Sequence, residues 1–344
     1  MVVTRGTDPR LATPAGDGGL AARGEPAQEL AQALAAPLTA DLTGEQARAV
    51  TTPARTVCVL AAAGAGKTRV LTRRIAYRIA AGTATPEHVL AITFTRKAAG
   101  ELRDRLVTSG GAGVATGTFH SLSLAQLRRY WSDRHVPAPV LIESKLRLLG
   151  EIVAGRPGLR DVALADLASE IEWAKARSLA PEELATSAIA LGRQLPCEPD
   201  ELAALYSRYE HEKRKRRLVD FDDLLARYAD ALQSDARFAA AQRWRWRHVF
   251  VDELQDVNPL QCRLLEALVG DNDDFFVVGD PNQAIYGWNG ADPGFLLEFP
   301  RRWPSAEVVH LSANHRSTPE IVTAAASVLG NSHAAPSSTR ASGP

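Results

Sequence analysis

Cysteine is scarce. Cys58, Cys197 and Cys262 are the only three in 344 residues, too few and too scattered for a disulfide framework or a zinc site. A reducing, cytoplasmic setting is expected. An excess of one charge is also missing: 40 basic side chains balance 40 acidic ones. That excludes a polycationic nucleic-acid coat but leaves room for a local basic groove, since binding depends on where charge sits. No apolar run approaches the ~18 residues that span a bilayer, so no membrane association is expected. The opening MVVTRGTDPR lacks the apolar stretch of a secretory signal. No repeat of 20–50 residues is present. His88, His211 and His248 show no metal-ligand spacing.

What remains is an ordinary globular composition, 45% hydrophobic and 23% charged, long enough for about two domains. Residues 1–37 and 331–344, rich in Ala, Gly, Pro or Ser, read as disordered tails. Between them, short apolar runs (Thr56–Leu60, Val89–Thr93, Val249–Asp252, Phe275–Gly279 and Glu307–Leu311) have the pattern of strands buried on both faces of a parallel sheet. Helical segments follow most of them: Thr68–Ala81, Lys97–Val107, Pro259–Leu268 and Pro319–Leu329. Strands alternating with helices predict an α/β fold. From about Ser121 to Arg217 the periodicity is helical almost throughout, which predicts an all-helical insertion.

The segment Ala61–Thr68 reads AAAGAGKT, after the strand VCVL and before a helix. A phosphate loop requires Gly, four residues, then Gly-Lys-Ser/Thr; Ala61 takes the first position. Gly64 and Gly66 let the backbone curl its N–H groups toward phosphate oxygens, and the helix N-terminus adds positive potential. Lys67 supplies a point charge for the β- and γ-phosphates, and Thr68 a hydroxyl for Mg²⁺. The plain alternative is an Ala/Gly-rich turn. His248–Asp256 reads HVFVDELQD, with carboxylates just past an apolar strand. Asp252 is placed to hold Mg²⁺ through its water shell, and Glu253 to orient and deprotonate a water. Alone, such a pair is often a helix cap; beside a phosphate loop it points to a nucleoside triphosphatase.

Eight segments in order resemble the UvrD/Rep/PcrA group of superfamily 1 DNA helicases. LTGEQARAV (Leu42–Val50) resembles the Q motif, AAAGAGKTRVL motif I, Ala91–Leu106 motif Ia and Thr116–Leu122 motif Ib. LVDFDDLL (Leu218–Leu225) is a further signature. VDELQDVNPLQ resembles motif II, Val277–Ala291 motif III and Leu311–Val322 motif IV. The resemblance implies a RecA-like P-loop NTPase sheet over 38–118 and 218–310, a helical insertion over 119–217, and the start of a second RecA-like domain over 311–330. It implies that ATP is held by Gln46, by Ala61, Ala62, Ala63, Gly64, Ala65, Gly66, Lys67 and Thr68, and by Arg69 and His315. Gln46 would read adenine. Lys67, Asp252, Glu253, Gln283 and Arg316 would be catalytic, with Gln283 and Arg316 at the γ-phosphate. Mg²⁺ would lie at Thr68 and Asp252.

Single-stranded DNA readers stack bases on aromatic rings. Phe94, Tyr286 and Trp288 are the candidates, although a lone aromatic near a strand end is more often core. The resemblance adds Thr95, Thr118 and His120 as contacts to the DNA backbone. The chain departs from the family pattern at Ala62, at His315, where a Tyr is common, and at Asn289, where an Arg is common. Two cation-rich strings fall outside the motifs. KRKRR (Lys213–Arg217) reads as a solvated helix C-terminus or a DNA path, and RWRWR (Arg243–Arg247) as packing tryptophans.

The expected activity is an ATP-dependent DNA helicase or translocase, 3′→5′ by resemblance, acting on single-stranded DNA or a 3′-tailed duplex. DNA-repair proteins are candidate partners, and the sequence gives no oligomeric state. Nothing in the chain resembles motifs V or VI, so it is expected to be incomplete as a motor. Loss of an arginine finger costs on the order of 10³–10⁵ in kcat. The alternatives are a nucleotide-dependent single-strand-binding module without motor activity, or a P-loop kinase or small-molecule ATPase. The last leaves motifs Ia, Ib and III unexplained.

Overall fold

In a computed structural model, residues 33, 36–330 and 336–343 are described; nearly all of the expected N-terminal tail lies outside them. Among the described residues, ten strands follow in chain order: β1 (Val57–Ala61), β2 (Val89–Thr93), β3 (Ala115–Thr118), β4 (Val140–Leu141), β5 (Leu218–Val219), β6 (His248–Val251), β7 (Phe275–Gly279), β8 (Glu307–Leu311), β9 (Ala313–Asn314) and β10 (Ser337–Ser338). Six form one parallel sheet, ordered β3-β2-β6-β7-β1-β8.

The near-continuous apolar runs exist because both faces of this sheet are covered. Strand side chains alternate between two cores. Val57, Val59, Val89, Ala91, Phe250, Phe276 and Val278 point into one. Cys58, Leu90, Ile92, Val249, Val251, Phe275 and Val277 point into the other. Helices Gly44–Thr51, Lys67–Ala80 and Arg96–Thr108 cover the first face. Helices Phe119–Asp133, Phe221–Ser234 and Pro259–Val269 cover the second. β3 was not expected as a strand. Its sequence, ATGT, has no apolar run because it is an edge strand that is mostly half-buried.

Local signals set the helix starts. Thr43 with Gln46, Thr118 with Ser121, Asp220 with Asp223, and Asn258 with Gln261 form reciprocal capping boxes. Arg74, fully buried, donates to the carbonyls of Ala49, Val50, Thr52 and Ala54 at 2.5–3.3 Å. It ties helix Gly44–Thr51 to the helix that follows the phosphate loop.

The insertion has its own core of Leu148, Leu149, Leu167, Ile171, Leu184, Leu202, Leu205 and Tyr209. Two expectations about its limits change. Helix Phe119–Asp133, placed with the insertion from sequence, packs on the sheet, because Phe119, Leu122 and Leu127 lie in the sheet's second core. The insertion also holds a strand: β4 pairs in parallel with β5 and ties the insertion's two ends together.

A buried ionic cluster lies at that junction. Lys175 Nζ donates to Asp220 at 2.8 and 2.9 Å, to Asp223 at 2.5 Å and to Glu210 at 3.1 Å. Lys213 Nζ, 1% exposed, donates to Asp220 at 2.9 Å and Asp223 at 2.6 Å. Tyr209 Oη donates to Asp220 at 3.0 Å. Lys213 therefore fits neither reading of the KRKRR string; buried Asp220 and partly buried Asp223 and Glu210 neutralise it. In RWRWR, Trp246 is buried as expected. Trp244 is 62% exposed, edge-on to His88 and beneath the Arg247 guanidinium.

Residues 336–343, expected within a disordered end, are ordered in part by backbone pairing. β10 runs parallel to β9, and Thr339 Oγ1 lies 3.0 Å from His315 Nδ1.

Candidate nucleotide and nucleic-acid site

Ligands bind open α/β sheets beyond the carboxyl ends of the strands, and the expected site residues gather there. After β1 the loop turns through Gly64 (φ 74°) and Gly66 (φ 87°), a left-handed conformation open to glycine. Space is as restrictive as angle. A Cβ at Gly64 would lie 2.8 Å from Arg316 Cβ and 2.9 Å from Asn314 Oδ1; one at Gly66 would lie 2.9 Å from Gln46 Nε2.

The loop is clasped from two sides. Asn314 Nδ2 donates to the Ala63 carbonyl at 2.7 Å, and His315 N–H to the Gly64 carbonyl at 3.0 Å. Asn314 Oδ1 accepts from the backbone N–H of Arg316 and Ser317 at 2.9 and 2.8 Å. Gln46 Nε2 donates to the Ala65 carbonyl at 2.9 Å, and Gln46 Oε1 accepts from Thr43 N–H at 3.2 Å. The Gln46 amide, 2% exposed, is thus committed to the loop and a helix cap. His315 lies beside it, Nε2 to Nε2 at 3.4 Å. Arg69 pairs with Asp41 and still lines the cleft beside the loop.

Lys67 Nζ donates to Gln283 Oε1 at 2.6 Å and lies 3.5 Å from Glu253 Oε2. Thr68 Oγ1 donates to Asp252 Oδ2 at 3.1 Å. Burial first, then the neighbouring Glu253, pushes the Asp252 carboxyl up to about 6. A cation would reverse that cost. The Thr68 hydroxyl and the Asp252 carboxylate are the oxygen donors that Mg²⁺ takes, directly or through its waters. Glu253 has φ 55°, a left-handed conformation costing about 1–3 kcal/mol in a non-glycine residue and met most often at functional sites. Gly66, Lys67, Thr68, Glu253, Gln283 and Arg316 line one cleft of about 450 Å³. Glu101 and Arg105, which the sequence reading did not single out, line it too.

A second cleft, of about 460 Å³, lies on the other side of Glu253 and Gln283, which line both. Its walls include Phe94, Thr95, Asp256, Asn282, Ile285 and Tyr286. Phe94 and Tyr286 are nearly parallel, with centroids 6.2 Å apart and 10° between planes. Trp288, 62% exposed, follows at 6.3 Å from Tyr286. The structure therefore brings all three predicted aromatics onto one surface.

The predicted backbone contacts divide. Thr95 is exposed at the rim, where its hydroxyl caps helix Arg96–Thr108. Thr118 is 7% exposed, and its hydroxyl is engaged in the Ser121 capping box, so it offers no free group to a strand. His120 is half-buried edge-on to Phe221, and burial lowers its pKa. The Asn289 side chain lies outside what the structure describes.

A parallel sheet with a phosphate loop after β1 and paired carboxylates after β6 defines a RecA-like P-loop α/β domain. The chain belongs to the UvrD/REP helicase N-terminal domain family, whose sequence model matches residues 42–304. It is 45% identical over 309 residues to ATP-dependent DNA helicase UvrD2 of Mycobacterium tuberculosis strain H37Rv, covering 85% of this chain and 44% of that protein. It is 33% identical over 309 residues to DNA helicase II of Escherichia coli strain K12, covering 85% and 41%. Over 305 residues it is 34% identical to ATP-dependent DNA helicase PcrA of Leuconostoc citreum, covering 86% and 40%. The chain thus spans less than half the length of these curated relatives. Among the described residues, no helix is long and apolar enough to cross a membrane.

Proposed function

We propose that this chain binds ATP with Mg²⁺ in the first cleft and single-stranded DNA along the aromatic surface of the second. On this reading it acts as the ATP-hydrolysing part of a DNA helicase or translocase, with 3′→5′ polarity by family resemblance. One observation carries the proposal: Glu253 and Gln283 form the wall shared by the two clefts. A group that touches a γ-phosphate on one side and borders a DNA track on the other is the simplest coupling device between them. The sheet unit corresponds to the family's first RecA-like domain, the helical insertion to its inserted subdomain, and 311–330 to its second RecA-like domain.

The residues divide the work by charge and reach. Lys67, which meets Gln283 and Glu253, is the point charge within reach of the β- and γ-phosphates of bound ATP. Thr68 and Asp252 would hold Mg²⁺, which would supply charge neutralisation at the phosphates. Glu253 orients a water and accepts its proton. Arg316 is exposed at the cleft and makes no ion pair among the described residues; it stabilises charge on the γ-phosphoryl group. Phe94, Tyr286 and Trp288 stack on bases without sequence preference.

The test is ATP turnover with and without single-stranded DNA, for the chain and its Lys67→Ala and Glu253→Gln variants. DNA-stimulated turnover lost in both variants is expected. Nucleotide binding without stimulated turnover leaves a DNA-binding module and sinks the motor reading for this chain. Absence of nucleotide binding sinks the whole proposal.

A further inference from the structure

We infer that Gln255 is a positioning residue that holds Glu253 in its working orientation and ties it to the β7 strand end. The inference rests on the reading above, in which Glu253 activates water. Gln255 is 1% exposed, and both ends of its amide are engaged. Nε2 donates to Glu253 Oε2 at 2.8 Å, and Oε1 accepts from Asp280 N–H at 3.0 Å. Asp256 Oδ2 lies 3.4 Å from the same Nε2.

These bonds close a circuit around the wall between the clefts. Asp280 begins the short turn Pro281–Gln283, and its carbonyl accepts from Gln283 N–H at 3.0 Å. Gln283 Oε1 accepts from Lys67 Nζ at 2.6 Å, and Lys67 returns to Glu253 Oε2 at 3.5 Å. A shift of the turn that carries Gln283 therefore reaches Glu253 by two routes, one through Lys67 and one through Gln255. Only the second is independent of the group that meets the phosphates.

Two features show that the local structure is shaped around this amide. Gly279 leaves it room, since a Cβ there would lie 2.6 Å from Gln255 Oε1. Glu253 keeps a left-handed backbone, which persists only when its surroundings over-determine it. The amide fixes Oε2, while Glu253 Oε1 meets no partner among the described residues and stays available to a water.

The test uses two variants of the full chain, because one alone might disturb packing. Gln255→Leu removes both contacts at similar volume. Gln255→Glu keeps an acceptor for Asp280 N–H and loses the donor to Glu253. Each is compared with wild type by fluorescence titration with ADP·Mg²⁺ and with ADP·Mg²⁺ plus aluminium fluoride, which mimics the phosphoryl group in transit. A group that acts only on the reacting state changes the second affinity and spares the first. The expected result is ADP affinity within about twofold of wild type and preference for the analogue reduced about tenfold or more in both variants, the scale of one hydrogen bond to a charged group. DNA-stimulated kcat should fall by a similar factor with KM little changed. An unchanged analogue preference in Gln255→Leu, with ADP affinity intact, overturns the inference, since leucine can neither donate to Glu253 nor accept from Asp280. Failure of wild type to bind any nucleotide overturns the functional reading and this one with it.

Discussion

Lys175→Met removes a cation from the buried cluster that joins the insertion to the sheet, while keeping the side-chain volume close to that of lysine. In the native protein Lys175 meets Asp220, Asp223 and Glu210 within 3.1 Å, with Lys213 as the second cation. The substitution leaves three carboxylates around one ammonium. Removing one partner of a buried pair costs about 3–5 kcal/mol, because the remaining charge stays buried and unpaired. At ~2 °C per kcal/mol for a protein of this size, the melting midpoint at pH 7 should fall by roughly 6 °C or more.

The pH dependence separates this electrostatic cause from a packing defect. Burial acts to lower the Lys175 pKa, but the surrounding carboxylates outweigh it and hold the ammonium well above its ordinary value. That stability is present below the unfolded lysine pKa and is lost only as pH rises through the folded value. Burial acts to raise the Asp220 pKa, but Lys175, Lys213 and Lys145 outweigh it and hold the carboxyl well below the usual range. Its contribution is present above the unfolded value of ~3.9 and is lost as pH falls through the folded one. The wild-type cluster should therefore contribute evenly between about pH 5 and 10. In Lys175→Met the orphaned carboxylates bind a proton more tightly folded than unfolded, so the deficit should shrink from pH 7 to pH 5. Adding Asp220→Asn should recover part of the loss, a non-additive result expected of direct contacts. Thermal melts followed by circular dichroism give all three readouts. A midpoint within about 2 °C of wild type at pH 7, or a deficit independent of pH, refutes the reasoning.

Three further outcomes follow from the site. Trp288→Ala should weaken binding of a labelled oligothymidine by ~1–3 kcal/mol, read by anisotropy, and spare nucleotide affinity; equal DNA affinity removes Trp288 from the track. Thr118→Val should lower stability by about 1 kcal/mol through its lost cap and leave DNA affinity unchanged; a selective fall in DNA binding would mean the hydroxyl leaves its cap for the strand. Gly64→Ala should weaken ATP binding in a titration while the chain stays folded. The added Cβ meets Asn314 and Arg316, and left-handed backbone costs a non-glycine residue roughly 1–2 kcal/mol.

Much of the sheet was legible in the sequence because a parallel strand covered on both faces must be apolar at nearly every position. Val89–Thr93 and Phe275–Gly279 coincide with observed strands, and so does Glu307–Leu311, whose valines mark it even at the sheet's other edge. β3 escaped because an edge strand needs no such run. The phosphate loop was legible because left-handed turns select glycine and phosphate selects lysine, so residue type and spacing carry the chemistry. The roles of Gln255, Asn314 and Arg74 were not. An amide or guanidinium has no role until the fold puts its partners within hydrogen-bond distance, and those partners lie 20–251 positions away for Arg74, for Gln255 with Asp280, and for Asn314 with Ala63. The same reason governs the scarce and balanced features of the composition. Sequence alone established that cysteine would not staple this protein and that charge would not dominate its bulk. Only the tertiary structure decided where the balanced charges went: Lys213, in a string that reads as solvated, is sealed against three carboxylates. Arg316 stands exposed at the first cleft. Burial and pairing depend on distances between segments far apart in the chain, which local pattern does not record.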